Sequence, residues 1–282
     1  MKQRIRKTVS PVRRYALLTM IALAVLLSAN QIVYSAILPV FFFRAGYDRD
    51  AEGQLQADPT VSELALKTQN GTLYGWRTDG NEERVILYFG GSGTDSNAWL
   101  YGLSPSFRTA LAERAVLLTL DYPTFGKSSG VIGETAFYRA AEALYAHAKE
   151  TYPNVDPILM GYSIGTAAAI RLASEHPTDG LILVAPLYDG TSIYTDSRGL
   201  LHAVLELFAS VRMQNDERAP LCPVRPLMIA GDADSRTPLS DAARLSNLFP
   251  SQPMLVTVVG CAHDAYWARQ ETYDAIIEYL DR

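Results

Sequence analysis

The chain has 282 residues, of which 48% are hydrophobic and 20% are charged. This composition supplies enough apolar surface for a folded core and excludes a disordered or collagen-like polymer. Two cysteines are too few for a disulfide scaffold, and no Cys/His cluster has zinc-ligand spacing, which argues against a zinc site. No other metal and no organic cofactor is implied by the sequence.

The net charge of −5 conceals a basic N-terminus. Of the 25 Lys and Arg residues, six lie within residues 1–14, which leaves 19 against 30 Asp and Glu residues in the remaining chain. An acidic body repels the phosphates of nucleic acids. Nucleic acid is therefore not an expected partner.

A long apolar segment follows the basic N-terminus. Residues 15–43 contain no Asp, Glu, Lys or Arg, and a bilayer core requires about 20 apolar residues in a helix. The preceding positive charges place the N-terminus in the cytoplasm. We therefore predict a basic cytoplasmic head over 1–14, a transmembrane anchor over 15–43 and a linker over 44–61. The rest of the chain would be extracytoplasmic, in a periplasm or a lumen.

A cleaved signal sequence is the alternative interpretation of this segment. Cleavage after Ala29 would produce a secreted protein, but Leu27 occupies the −3 position, where a small side chain is preferred. Cleavage would also leave an apolar N-terminus on a soluble protein, which favours association. An uncleaved anchor is therefore the preferred interpretation.

From residue 62 onward, apolar runs of strand length alternate with segments of helical periodicity. The segment 64–78 contains two extended runs joined by Asn70-Gly71, which predicts a β-hairpin. Continuous apolar strands separated by helices are typical of a mostly parallel sheet covered on both faces. We therefore predict a doubly wound α/β domain over 62–282 that begins with an antiparallel hairpin. The predicted strands are 84–89, 115–120, 157–160, 181–185, 226–231 and 255–259, and the predicted helices are 96–113, 134–152, 164–175, 239–248 and 266–280.

Residues 187–225 follow neither the strand nor the helix period for long. One helix at about 199–213 is predicted within them, lying over the strand ends as a small cap. An ordinary surface crossover helix is an alternative of nearly equal weight.

The sequence GYSIG at 161–165 matches the G-x-S-x-G pattern of a nucleophilic serine. The match follows an apolar strand and precedes a predicted helix, which is the context that the pattern requires. Ser163 is expected on a tight, strained turn that projects its hydroxyl above the sheet. Gly161 and Gly165 are expected as structural glycines of this elbow, because larger residues would collide with neighbouring backbone.

A serine hydroxyl requires a base before it becomes an effective nucleophile. His263 follows the last predicted strand in a loop, which places it at the same edge of the sheet as Ser163. His147 and His176 lie within or at the end of predicted surface helices, and His202 lies in the predicted cap. His263 is therefore the predicted base.

The base in turn requires a carboxylate that orients it and stabilises its charged form. The loop GDADSRTP (231–238) follows a predicted strand and offers Asp232 and Asp234. Asp234 is selected because it lies nearer to the helix start at Pro238, and Asp232 is expected to cap the loop. The resulting chain order, serine then aspartate then histidine, is the order expected for this architecture.

The negative tetrahedral intermediate of acyl transfer needs backbone N–H donors, which form an oxyanion hole. Ile164, at the start of the helix after the elbow, is predicted to supply one. The Gly-rich turn FGGSGTD (89–95) is predicted to supply the other, from Gly91 or, as a second choice, from Ser92. This turn lacks the Lys-Ser/Thr of a P-loop and the spacing of a dinucleotide fingerprint, which argues against nucleotide binding.

These motifs resemble those of the α/β-hydrolase superfamily over about residues 62–280, in particular its membrane-anchored abhydrolase-domain serine hydrolases. The loop DYPTFGKSSG (121–130) looks like the family's D-Y-x-G-x-G-x-S-x-G loop, with Thr124 where a glycine is usual. The resemblance implies a pocket-wall role for this loop. Relatives commonly have His-Gly at the oxyanion turn, whereas this chain has Phe89-Gly90, so the hydrogen bonds of that histidine have no counterpart here.

The sequence thus predicts a membrane-anchored serine hydrolase that cleaves a carboxylic ester, thioester or amide through an acyl-enzyme. An esterase-like or lipase-like enzyme with a small-molecule or lipid-like acyl substrate is expected, and a peptidase is less expected. Two alternatives are a catalytically silent binding or scaffold protein of the same fold and an acyltransferase that uses the same three residues.

Overall fold

Short apolar segments form the centre of the sheet. Five strands have five residues each and are buried along their whole length, which is typical of strands covered by helices on both faces. The computed structural model describes residues 11–32, 43, 46–192 and 211–282. Within them the strands are β1 (Val61–Thr68), β2 (Gly71–Thr78), β3 (Val85–Phe89), β4 (Val116–Leu120), β5 (Ile158–Tyr162), β6 (Gly180–Val184), β7 (Leu227–Gly231) and β8 (Met254–Val258).

The eight described strands form one sheet in the order β1-β2-β4-β3-β5-β6-β7-β8. Strand β2 pairs antiparallel with β1 and β4, and all pairs from β4 to β8 are parallel. The prediction of a mostly parallel sheet with an antiparallel start is therefore confirmed. The strand order reverses between β3 and β5, and such a switch point is where open α/β sheets bind ligands.

The hairpin turn lies one residue earlier than predicted. Thr68 pairs with Gly71, so the two turn residues are Gln69 and Asn70. Gly71 begins β2 with φ of +137°, and a Cβ there would lie 2.8 Å from the carbonyl oxygen of Ser129. The glycine is therefore required at the start of the strand rather than within the turn.

Helices pack on both faces of the sheet, and the sheet separates the core into two clusters. Phe137 and Ala168 belong to one cluster, whereas Phe107 and Ile276 belong to the other. In chain order the helices are α1 (Pro11–Ile32), α2 (Arg49–Ala57), α3 (Ser96–Gly102), α4 (Pro105–Ala112), α5 (Glu134–Thr151), α6 (Gly165–Glu175), α7 (Asn215–Arg218), α8 (Leu239–Ser246) and α9 (Gln270–Leu280).

Two predicted helices differ from the observed ones. The segment 96–113 forms α3 and α4 rather than one helix, because the Ser104 hydroxyl accepts a hydrogen bond from the Phe107 amide and Pro105 occupies the first turn of α4. The closing helix starts at Gln270 rather than at 266, and a 3₁₀ helix, His263–Ala268, precedes it.

Part of the predicted linker is helical and belongs to the folded body. The Asp48 carboxylate caps α2 by accepting a hydrogen bond from the Ala51 amide at 2.9 Å. The Asp48 amide donates to Asp95 Oδ2 at 2.9 Å, and Leu55 of α2 is fully buried. The segment therefore packs beside α3 instead of extending away from the domain.

The apolar N-terminal segment is described chiefly as α1. Within the described residues, no helix combines the length and the apolar character that a membrane span requires. The structure therefore gives no support to the transmembrane helix predicted over 15–43. Residues 1–10, 33–42 and 44–45 of the predicted head, anchor and linker lie outside the described residues.

The predicted cap over 187–225 is described only at its two ends. Residues 193–210, which include most of the predicted helix 199–213, lie outside the described residues. The two described ends are joined by a hydrogen bond from Asn215 Nδ2 to the carbonyl oxygen of Leu187 at 2.9 Å.

Close backbone contact between β2 and β4 predicts a strong effect of substitution at Gly75. A Cβ at this position would lie 2.0 Å from the carbonyl oxygen of Thr119. Gly75→Ala is expected to lower the free energy of unfolding by about 1–3 kcal/mol, because the two strands must separate to accommodate the methyl group. Denaturant unfolding measures this change.

The matched control is Gly53→Ala, at an exposed position of α2 with no atom within 4 Å of an added Cβ. Alanine has the higher helix propensity, so this variant is expected to be as stable as the parent or more stable. Equal destabilisation by the two substitutions would contradict the packing argument.

Candidate active site

Three polar side chains follow the carboxyl ends of parallel strands. Ser163 follows β5, Asp234 follows β7 and His263 follows β8. Their exposed fractions are only 4%, 4% and 8%. The structure thus brings together the three residues that sequence reasoning selected from distant parts of the chain.

Ser163 occupies a strained elbow between β5 and α6. Its φ is +53°, which is uncommon for a residue other than glycine, and its amide donates to the carbonyl oxygen of Val184 at 3.0 Å. A Cβ at Gly161 would lie 2.5 Å from the carbonyl oxygen of Gly165, and a Cβ at Gly165 would lie 2.0 Å from that of Phe89. Both glycines are therefore required by close backbone contacts.

Hydrogen bonds join the three side chains into one continuous line. Ser163 Oγ lies 3.0 Å from His263 Nε2, and His263 Nδ1 lies 2.8 Å from Asp234 Oδ2. The Tyr162 hydroxyl donates to the carbonyl oxygen of His263 at 2.6 Å and so fixes the histidine backbone. This geometry allows the imidazole to take a proton from the hydroxyl while the carboxylate faces the other ring nitrogen.

The Asp234 carboxylate accepts four further hydrogen bonds. Oδ1 accepts from the amides of Arg236 at 2.8 Å and Thr237 at 2.9 Å, and Oδ2 accepts from the hydroxyls of Thr237 at 2.8 Å and Tyr266 at 3.0 Å. Burial raises the pKa of this carboxyl, but hydrogen bonds from His263 and Thr237 outweigh burial and lower the pKa below its ordinary value. Asp234 is thereby held in its ionised form.

Sequence reasoning selected neither Thr237 nor Tyr266. The Tyr266 hydroxyl also accepts a hydrogen bond from the Gly231 amide at 2.6 Å, so it connects the end of β7 to Asp234. A threonine three residues after an aspartate in a loop is a local signal for such a contact, because aspartates in turns bind nearby backbone amides. Tyr266 has no comparable local signal, since it lies 32 residues from Asp234.

Of the other candidate acid and bases, the structure describes Asp232, His147 and His176, and none of them is hydrogen-bonded to Ser163, His263 or Asp234. Asp232 Oδ1 accepts a hydrogen bond from the Gly260 amide at 2.6 Å. It therefore joins its loop to the loop after β8, and no described contact shows the predicted capping of its own loop. His176, at the end of α6, has its Nε2 2.9 Å from Oε2 of Glu142 in α5. His202 lies outside the described residues.

The Gly-rich turn after β3 lies beside the elbow. A Cβ at Gly91 would lie 3.3 Å from Ser163 Cβ and 2.9 Å from the ring of Tyr162. Ile164 immediately precedes α6. No backbone hydrogen bond joins the amide of Gly91 or Ile164 to another residue that the structure describes, so both donors are available for a ligand. Ser92 follows Gly91 on the same turn.

The loop after β4 forms a wall beside this turn. Thr124 has φ of +74°, which explains why the family pattern has a glycine at this position. Ser128 Oγ accepts from the Tyr74 amide at 2.9 Å and donates to the carbonyl oxygen of Asp121 at 3.0 Å, which fixes the loop on β2. Burial raises the pKa of Asp121 to about 7, and its Oδ1 accepts a hydrogen bond from the Ser96 amide at 2.6 Å.

A cavity of about 90 Å³ lies between the Gly-rich turn and the loop after β4. It adjoins the elbow through Gly91 and Tyr162, and its walls are aromatic and acidic. The lining residues are Tyr88, Gly90, Gly91, Thr94, Asp95, Ser96, Trp99, Thr119, Leu120, Asp121, Tyr122, Phe125, Tyr162, Asp264 and Trp267.

Among the described residues, one group of side chains has spacing that would suit a metal ion. Single ligand atoms of Glu142, Glu175 and His176 lie within 4.8 Å of one another. Glu175 pairs with Arg218, and also with Arg171 at 3.3 Å. These cations compete for the carboxylate, and none of the three potential ligands belongs to the line of side chains at Ser163.

The chain is similar in sequence to known proteins. A model of the alpha/beta hydrolase family matches residues 86–279. Alpha/beta hydrolase domain-containing protein 17C of Xenopus tropicalis is 27% identical over 213 residues, which cover 72% of this chain and 64% of the relative. The chain therefore spans less than two thirds of the length of that relative.

Solved structures share the fold. An esterase of Pyrococcus furiosus superposes with a TM-score of 0.62 at 16% identity, covering 85% of this chain and 97% of the esterase. A membrane phospholipase A described as a bacterial virulence factor superposes with a TM-score of 0.61 at 20% identity, covering 95% and 98% of the two chains. Because the family model matches more than half of its residues, the chain belongs to the alpha/beta hydrolase family.

Proposed function

We propose that the chain is a serine hydrolase that cleaves a carboxylic ester, thioester or amide through an acyl-enzyme at Ser163. One observation carries this proposal: the buried line of hydrogen bonds from Ser163 Oγ through His263 to Asp234. Membership of the alpha/beta hydrolase family supports a hydrolytic reaction.

In the proposed acylation step, Ser163 Oγ forms a bond to the substrate carbonyl carbon while its proton moves to His263 Nε2. The ionised Asp234 stabilises the resulting imidazolium. The proton then passes to the leaving alkoxide, thiolate or amide as the bond to the carbonyl carbon breaks. In deacylation a water molecule attacks the carbonyl carbon of the acyl-serine while His263 Nε2 takes one of its protons. The bond from Ser163 Oγ to the carbonyl carbon then breaks, His263 returns the proton to Oγ, and the carboxylic acid is released.

The tetrahedral intermediate of each step carries a negative oxygen. The amides of Ile164 and Gly91 are proposed to bind it. Both lie beside Ser163, and neither donates a hydrogen bond to a backbone carbonyl among the described residues. Ser92 remains the second choice for the turn. Removal of one such donor typically lowers kcat by about 10²–10³-fold.

The proposed substrate is a small or lipid-like acyl compound, most simply an ester. The esterase and the phospholipase among the similar structures act, by their names, on esters, which supports this choice. The small cavity beside the elbow favours a short group on that side of the reacting carbon. p-Nitrophenyl esters of graded chain length measure the preference.

An active-site probe tests the proposed function directly. A fluorophosphonate is expected to label the chain at Ser163, and Ser163→Ala is expected to abolish labelling and to lower kcat for an ester by about 10⁶-fold. His263→Ala is expected to reduce labelling strongly, since the hydroxyl loses its base.

Ser174→Ala, in the same helix as the elbow but outside the site, is the control and is expected to label normally. Absence of labelling in a folded chain would contradict the proposal and favour a binding or scaffold protein of the same fold. Labelling together with products that appear only in the presence of an alcohol or amine acceptor would identify an acyltransferase.

The lowered pKa of Asp234 predicts a defined pH dependence of stability. A carboxyl whose pKa is lowered by folding stabilises the native state above its ordinary pKa of about 4 and loses this contribution as the pH falls through its lowered value. Asp234→Asn is therefore expected to be less stable than the parent at pH 7, and the difference is expected to shrink below pH 4.

Urea unfolding at pH 7 and at about pH 3 measures this difference, and a gap that stays constant would contradict the ionised assignment. The same variant is expected to lose about 10⁴-fold in kcat, because an amide cannot stabilise the imidazolium.

Localisation is a separate proposal that rests on the sequence alone. The basic residues 1–14 and the apolar segment 15–43 predict membrane attachment with the catalytic body outside the cytoplasm. Cell fractionation with carbonate extraction is expected to leave the full chain in the membrane pellet. Recovery in the soluble fraction would contradict the anchor and, outside the cell, would indicate a cleaved signal sequence.

A further inference from the structure

The peptide unit that joins Gly90 to Gly91 is held from one side by a tyrosine. The Tyr122 hydroxyl donates a hydrogen bond to the carbonyl oxygen of Gly90 at 3.1 Å. The Tyr122 side chain is itself fixed, since it is 2% exposed and its ring packs against those of Phe125 and Phe137. The hydroxyl therefore reaches the turn from a rigid support.

The carbonyl and the amide of one trans peptide unit point in opposite directions, and the described chain contains no cis peptide bond. A hydrogen bond that fixes the Gly90 carbonyl therefore also fixes the direction of the Gly91 N–H. Two consecutive glycines would otherwise adopt many backbone conformations. The Gly90 carbonyl also lies close to the elbow, because a Cβ on Gly165 would be 2.7 Å from its oxygen.

We propose that Tyr122 is a positioning residue, which orients the Gly91 amide toward the oxyanion by holding the Gly90 carbonyl. The inference rests on the proposed function, since it assigns a task within that site. The Tyr122 hydroxyl also supplies a fixed hydrogen bond at this turn, where Phe89 replaces the histidine that is common in relatives. Tyr122 itself forms no bond to substrate in this scheme.

Tyr122→Phe removes the hydroxyl and keeps the ring. The test compares an ester with its thiono analogue, in which sulfur replaces the carbonyl oxygen and accepts hydrogen bonds poorly. For the oxygen ester, kcat is expected to fall at least about tenfold with little change in KM, because the amide acts on the transition state. For the thiono ester the fall is expected to be much smaller, so the ratio of the two rates drops.

Tyr145→Phe is the matched control. The Tyr145 hydroxyl also donates to a carbonyl oxygen, that of Pro177 at 2.7 Å, from a buried side chain away from the elbow. This variant is expected to keep both rates within about twofold of the parent. Thermal unfolding of both variants checks that each is folded at the assay temperature.

Equal losses with the oxygen and thiono esters would show a merely structural role for Tyr122 and overturn the inference. Unchanged kinetics of Tyr122→Phe would overturn it as well. In either case, labelling of the parent chain at Ser163 by the fluorophosphonate would leave the proposed function intact. If the parent chain neither reacts with the probe nor cleaves any ester, both proposals are contradicted.

Discussion

The left-handed backbone of Ser163 is the constraint on which the candidate site depends. It turns the chain from β5 into α6 within two residues, and the close approach of the backbone at Gly161 and Gly165 is a direct result. Strain of this kind persists only where the surroundings determine it. Here the Val184 carbonyl holds the serine amide from β6, and the turn after Phe89 packs against the start of the helix.

The same edge of the sheet buries the carboxylate of Asp234. Burial of an ionised group is unfavourable unless hydrogen bonds replace its hydration, and Asp234 meets this requirement through His263, Thr237 and Tyr266 as well as the Arg236 amide. These partners come from the loops after β7 and β8. The network therefore joins the two loops, and it fixes the imidazole relative to the serine.

Local signals explain what sequence reasoning could predict. Continuous apolar runs predicted the buried strands, and the elbow motif together with strand-end positions selected Ser163, Asp234 and His263. Contacts between distant segments could not be predicted in this way. Tyr122 and Tyr266 act through hydroxyls that reach other loops, and nothing in their neighbouring residues indicates these partners. Helix α2 was likewise missed, because its polar composition is typical of a linker and its few apolar residues are the ones that pack.

The buried Asp121, in the loop after β4, makes the stability of the folded chain depend on pH. Burial raises its pKa to about 7, whereas an aspartate in an unfolded chain ionises near pH 4. Between these values the native chain retains a proton that the denatured chain has released, so refolding withdraws protons from the solvent. The contribution of Asp121 to the free energy of unfolding accordingly declines as the medium changes from acidic to neutral.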